Sequence, residues 1–541
     1  MGLFVYCGVN FKGIKKSQWS AIYKESLQII ENFPAPLIDV KTETFFDEKR
    51  YSYTTEIIRN KGKNDEHWRT IGDLLSRKRA EDFSLYPHLE QYLEPENEES
   101  QLDDVLYADE EAIDCIDSGN SSAIFNNKTQ GYPYHIAIMA VALLIENRLP
   151  NQAYIQGDIT QGIARLVVKW LNSFLEKPVM MPVCMDSDRL WQRLSQAYQD
   201  DNLATQRFNT LYIGSEEDKL TTIAKYCGEE FTQKYLINCF QDYRSLSQWG
   251  AKSIVFIILG HFQDLHLLIK IIKDIPVEKD EKQEFELKDL LKLLMRSYIT
   301  TPNKEREIFT LFDAYDDELM TIEETIGRTF AKMGGMPEFI NLYASKKDLL
   351  AVFCHYEPEN KSKFEKIIKT QHQKNKLEIA EAEELIKKQQ AADNSKSKAE
   401  KTNDKSTLLP TNAVTEQHPI PADAEFIIEA ALSQQERFKE ADKAAQIFGK
   451  QMREQAKKNP LRDWLDIETK DALLKQIYFA SSETGFALKA SAWKEIDAEN
   501  DLGILKGVLA LSLINNNEMS FWRFRIHILE EKSLREFLKI T

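Results

Sequence analysis

Gly157 and Gly162 stand five positions apart, after the extended run Ala153-Tyr154-Ile155-Gln156 and before an apolar helical pattern. Two glycines so spaced are half the grammar of a phosphate loop. In such a loop backbone N–H groups wrap the phosphate, a lysine neutralises it and a hydroxyl holds magnesium. Here the next residues are Ile163 and Ala164, so the charge and the metal ligand are missing. A G-x-G-x-x-G dinucleotide fingerprint is missing too. Gly157, Asp158 and Gly162 remain the candidate cofactor-binding residues, although no cofactor is predicted. Asp158 would lie just past the end of one strand, and Asp186 and Asp188 just past a second extended run, VMMPVCM. Carboxylates at strand ends can share a magnesium ion or polarise a water. Asp158, Asp186 and Asp188 are therefore the candidate metal ligands. The competing reading is that Asp158 and Asp186 cap the helices that follow them.

Other chemistry-bearing residues give less. The nine histidines (His67, His88, His135, His261, His266, His355, His372, His418 and His527) contain no H-E-x-x-H. His261 could pair locally with Asp264, but core histidines with satisfied partners are the plainer reading. The six cysteines (Cys7, Cys115, Cys184, Cys227, Cys239 and Cys354) are widely spaced with no C-x-x-C. That argues against a disulfide framework and a cysteine zinc site, and for reduced thiols in a cytosolic protein. Cys354 and His355 are adjacent, which is poor geometry for a nucleophile–base dyad, and no G-x-S-x-G elbow occurs. Asp313 to Glu324 has the composition of an EF-hand loop without its order. Asp103, Asp104, Asp109, Glu110, Glu111, Asp114 and Asp117 crowd one stretch. They could hold a hard cation or form a solvated acidic helix. Phe521 to Leu529 interleaves aromatics with Arg523 and Arg525, either to stack bases or as a core element with its arginines outward.

The elements that must position these residues follow from periodicity. Leu3 to Val9 reads as a strand, followed by a helix capped at Ser17 with Trp19, Ile22, Tyr23, Leu27 and Ile30 on one face. Leu37 to Ile58 reads as a hairpin around an Asp-Glu-Lys turn. Ile136 to Ile145 is apolar nearly all round, which marks a buried helix between Pro133 and Pro150. A strand at 153–156, a helix from Thr160, the run VMMPVCM and the helix after Asp186 would then make one parallel crossover unit. Beyond Asn202 helix follows helix with short connections and no fixed repeat period. The segment 253–273 is the best membrane candidate. His261, Gln263, Asp264 and His266 interrupt it, so it reads as a buried helix of a soluble domain. The N-terminus matches neither a signal peptide nor a myristoylation site.

Four short words resemble a group of bacterial cytosolic proteins of unknown function over roughly the first half of the chain. They are Thr129 to His135 (TQGYPYH), Glu146 to Pro150 (ENRLP), Gly157 to Ile159 (GDI) and Phe33 to Leu37 (FPAPL). The resemblance implies a bacterial cytosolic origin and carries over no catalytic residue or substrate.

With 541 residues and 43% apolar composition, the chain can bury large cores without disulfide staples. A net charge of −16 argues against general binding to nucleic acid or anionic lipid. The expected fold is α+β and predominantly helical. It has an α/β N-terminal region at 1–200, a helical array at 201–390, a flexible linker at 391–423 and a C-terminal helical domain at 424–541. The expected function is that of a non-enzymatic bacterial interaction or adaptor protein in a multi-protein system, cytoplasmic, with a protein partner and no membrane. Homo-oligomers remain open. The alternative is a metal- or nucleotide-dependent enzyme or sensor using Asp158 and Asp186. A third reading is an immunity or inhibitor protein whose acidic stretch at 103–117 neutralises a basic partner.

Overall fold

A computed structural model describes residues 3–74, 79–92, 104–115, 121–276, 285–302, 340, 342–400, 446, 449–450, 466–513 and 519–540. The fold is α+β and predominantly helical, with 58% helix and 14% strand. The chain divides into two compact units. One combines Met1–Cys184 with Pro419–Thr541, and the other is Met185–His418.

The first unit begins with β1 (Phe4–Val9) and α1 (Lys16–Asn32), whose N-cap is Lys15 rather than Ser17. The expected hairpin forms, β2 (Leu37–Phe45) against β3 (Glu48–Thr54), but it ends at Thr54 rather than Ile58, and Glu48 and Lys49 of the expected turn lie in β3. Its turn residues Phe46 and Asp47 both have positive φ, at 53° and 64°, the geometry that matches the twist of paired strands. Four further strands follow that the sequence pattern did not show: β4 (Ile58–Arg59), β5 (His67–Asp73), β6 (Arg79–Leu85) and β7 (Ser122–Lys128). Next come α2 (Tyr134–Arg148), β8 (Ala153–Gly157) and α3 (Gln161–Leu171). From Tyr134 to Glu146 every residue of α2 except Ile136 is buried, because its all-round apolar sequence leaves no face for water. β1 lies between β7 and β8 and is antiparallel to both.

The parallel crossover unit is not formed. Residues 178–182 are irregular and Val183–Met185 is a 3₁₀ turn. Side chains, not a neighbouring strand, satisfy this segment. Asn172 exchanges two hydrogen bonds with the Val179 backbone, at 2.7 and 2.9 Å. Asn147 does the same with Met180, at 2.8 and 3.2 Å. Glu146 accepts from Val183 N at 3.0 Å. Arg148 donates to the carbonyls of Lys177 (2.6 Å) and Pro178 (3.4 Å) while its guanidinium grips Glu25. Glu146, Asn147 and Arg148, with Asn172, thus take the place of a neighbouring strand for the Val179, Met180 and Val183 N–H groups and the Pro178, Val179 and Met180 carbonyls.

The second unit is a helical array: α4 (Ser187–Ala197), α5 (Asp201–Leu211), α6 (Glu216–Gln241), α7 (Trp249–Phe262), α8 (Leu265–Asp274), α9 (Leu287–Arg296), α10 (Lys346–Tyr356) and α11 (Lys361–Glu400). α6 covers two expected helices joined at Gly228, whose φ of 82° kinks it. The 253–273 segment is two helices rather than one. Gln263 takes a left-handed φ of 52°, and Asp264 caps α8 by accepting from His266 N and Leu267 N. The polar interruption in the sequence is this break. Among the described residues, no helix is long and apolar enough to cross a membrane. The core holds Phe240, Val255, Ile258, Leu268, Ile272, Leu290, Leu294, Phe353 and Phe364. Residues 391–400 of the expected linker continue α11; 401–423, the helix expected over 322–333 and most of 424–465 lie outside the described residues.

The expected C-terminal helical domain does not stand apart. Past the described start of α12 (Lys470–Thr484), the strand β9 (Ala487–Lys489) joins the hairpin sheet parallel to β3, pairing Tyr51 with Ala487. α13 (Ala490–Ala498) follows, and its Trp493 donates its indole N–H to Tyr51 O at 3.0 Å. Arg50 is the clasp. Its guanidinium bonds Asp497 (2.7 Å) and Glu43 (2.8 Å), and lies 4.1 Å from the Phe45 ring centre. With α14 (Leu502–Ser512), α15 (Met519–Glu530) and α16 (Lys532–Arg535), these residues close a core around Ile477, Phe486, Trp493, Leu509, Ile526 and Leu538. The first unit therefore also supersedes the expected boundary at 200, ending its N-terminal part at Cys184.

Candidate functional site

The turn at 157–162 is built against the start of β1. Gly157 has a φ of 123°, and a Cβ there would fall 2.5 Å from Phe4 O. The backbone of Asp158 donates to Phe4 O at 3.0 Å, and Asp158 Oδ2 accepts from Phe4 N at 2.9 Å. Asp158 therefore spans to β1 and does not cap α3. Thr160 is the cap, accepting from Ile163 N at 3.3 Å. Gly162 is buried within α3. The Asp158 carboxylate and the N–H groups of Asp158, Ile159 and Ile163 are in use within the fold.

His135 completes this corner and carries the polar word TQGYPYH. Thr129 Oγ1 donates to Leu3 O at 3.2 Å and lies 2.7 Å from His135 Nδ1. Nε2 is buried without a hydrogen-bond partner. Burial pushes the imidazole from 6.5 down to about 4, since the second ring proton would bury a charge, and the Asp158 backbone offsets this only in part. The sign of the linkage follows. The unfolded chain takes up the proton near pH 6.5 and the folded chain only near pH 4. Stability is thus full above pH 6.5 and falls as pH drops toward 4. His135→Gln should remove that dependence. The stability gap between wild type and variant, from urea midpoints at pH 7.5, 5.5 and 4, should shift by about 3 kcal/mol across the range. A pH-independent gap would contradict a neutral buried imidazole.

Asp186 does cap its helix, accepting from Arg189 N at 3.0 Å with the Arg189 guanidinium at 3.7 Å. Asp188 pairs with Lys225 at 2.8 Å, and that bond holds its carboxyl below the usual range. Asp158 belongs to the first unit and Asp186 and Asp188 to the second. Among the described residues, no group of three or more His, Cys, Asp or Glu side chains could hold a metal ion.

A surface the sequence did not single out lies in the second unit. α10 and α11 form a helical hairpin through Pro358–Asn360, locked where Phe353 meets Phe364 edge to face, ring centres 5.6 Å apart. Between them runs a groove of about 570 Å³. Leu350 and Ile368 line it with Lys346, Lys347, Lys369, Glu365, His372 and Gln373. His372 Nδ1 meets Thr300 Oγ1 at 3.1 Å. The lysines are exposed, and none is held in an ion pair among the described residues. The chain matches no known family model, curated protein or solved structure. Nothing local links Lys347 with Lys369; only the hairpin brings them to one groove.

The remaining candidates resolve as structure. The described part of the acidic stretch, 104–115, is a loop with a 3₁₀ turn at Glu110–Ala112 rather than a solvated helix; Asp103 and Asp117 lie outside the described residues. In the second unit His261 Nδ1 meets Thr221 Oγ1 at 3.2 Å, and His266 Nδ1 meets Tyr356 Oη at 3.3 Å. Arg525 does not point outward. It is buried over the Phe486 ring at 5.2 Å, and desolvation brings its guanidinium down to about 10.

Proposed function

We propose that this chain is a non-enzymatic binding protein, an adaptor in a bacterial multi-protein system, with its helical array as the docking platform. The groove between α10 and α11 carries the reading, because it joins an apolar floor to lysines that have no ion-pair partner among the described residues. Interface cores have that mixture: apolar centre, charged rim. The carboxylate reading gains no such support, since Asp158, Asp186 and Asp188 each already hold an amide or an ammonium.

The test is affinity purification of the tagged full-length chain from its host, with mass spectrometry, for wild type and Leu350→Asp. A stoichiometric partner held by wild type and lost from the variant is expected. Recovery of wild type alone, at the mass of a monomer or homo-oligomer, would count against the adaptor reading.

A further inference from the structure

We infer that the occupant of the α10–α11 groove is an acidic amphipathic helix of a partner protein; the inference rests on the binding-protein reading above. Three observations carry it. The first is shape: both walls are helices, and the groove between two packed helices accepts the side-chain ridge of a third. α10 has 11 residues, so it runs roughly 16 Å and offers about three turns of contact. The second is the floor, where Leu350 and Ile368 are apolar and no aromatic lines the groove for base stacking. The third is charge. Lys346, Lys347 and Lys369 surround that floor with one carboxylate, Glu365, in a chain whose Asp and Glu total 86 against 70 Lys and Arg. Further along α11, Lys374 is paired with Glu378 at 3.4 Å. The three groove lysines have no such partner among the described residues. A local cluster of positive charge repels basic partners and selects carboxylates.

The probe is a fluorescein-labelled helical peptide of about 20 residues, long enough to hold helix in water. It carries leucine on one face and glutamate elsewhere, and is read by fluorescence anisotropy against the full-length chain. Binding should weaken at least tenfold in the triple variant Lys346→Glu, Lys347→Glu, Lys369→Glu, and should weaken with added salt. Lys363→Glu, a charge reversal on α11 outside the groove lining, should leave binding unchanged. The same peptide with lysine in place of glutamate should not bind. Equal binding by the triple variant, or no binding of the acidic peptide, overturns the inference. So does binding of anionic vesicles that the triple variant loses while the acidic peptide stays unbound. The two levels separate in purification from the host. A stoichiometric partner that also stays with the triple variant would sink the acidic-helix inference and leave the adaptor reading standing. Absence of any partner would sink the adaptor reading itself.

Discussion

Gly157→Ala is expected to destabilise the first unit by about 3 kcal/mol. Two effects add. The φ of 123° belongs to a region that only glycine adopts without strain. The new Cβ would also stand 2.5 Å from Phe4 O, which is backbone and cannot swing aside. Relief requires β1 and β8 to part at their Val5–Gly157 pairing. That would stretch the Phe4–Asp158 bonds as well. Urea denaturation gives the loss, and hydrogen exchange at the β1 amides should localise it. A loss under about 1 kcal/mol would show that the turn is not under this constraint.

Glu146→Ala is expected to cost about 4 kcal/mol. The carboxylate is buried in α2 and accepts from two amides, Ile155 N and Val183 N, both at 3.0 Å. Removing it leaves two buried donors unpaired, each costing roughly 1–3 kcal/mol. It also frees one anchor of the 178–183 segment. Glu146→Gln should cost about half as much, because one oxygen still accepts while the amide turns a donor on the other N–H. Equal losses for the two variants would mean that packing, not these two bonds, sets the effect. Hydrogen exchange at Val183 should rise in both.

The word ENRLP was visible in the sequence, but its task was not. Glutamate, asparagine and arginine in a row at a helix end read as a solvated terminus. Their partners at 177–183 are about 30 residues away, and only the packed helix shows that they take the place of a strand. The run VMMPVCM looked extended and forms no strand; pattern could not supply the identity of the groups satisfying its backbone. Asp158 illustrates the same limit. A carboxylate before a helix is an N-cap by local grammar, yet the amide it serves belongs to Phe4.

The sequence by itself determined the α+β, mainly helical class, the hairpin at 37–54, the buried α2, the cap at Asp186 and the succession of helices after residue 200. Each depends on interactions within a few residues: apolar spacing, turn chemistry, a side chain bonding an amide three positions on. The tertiary structure alone decided that β9 pairs with β3, that Arg50 binds Asp497, that β1 separates β7 from β8, and that Lys347 and Lys369 share a groove. Those outcomes rest on contacts between residues tens to hundreds of positions apart. Local pattern carries no information on which distant surface completes a strand edge or answers a charge.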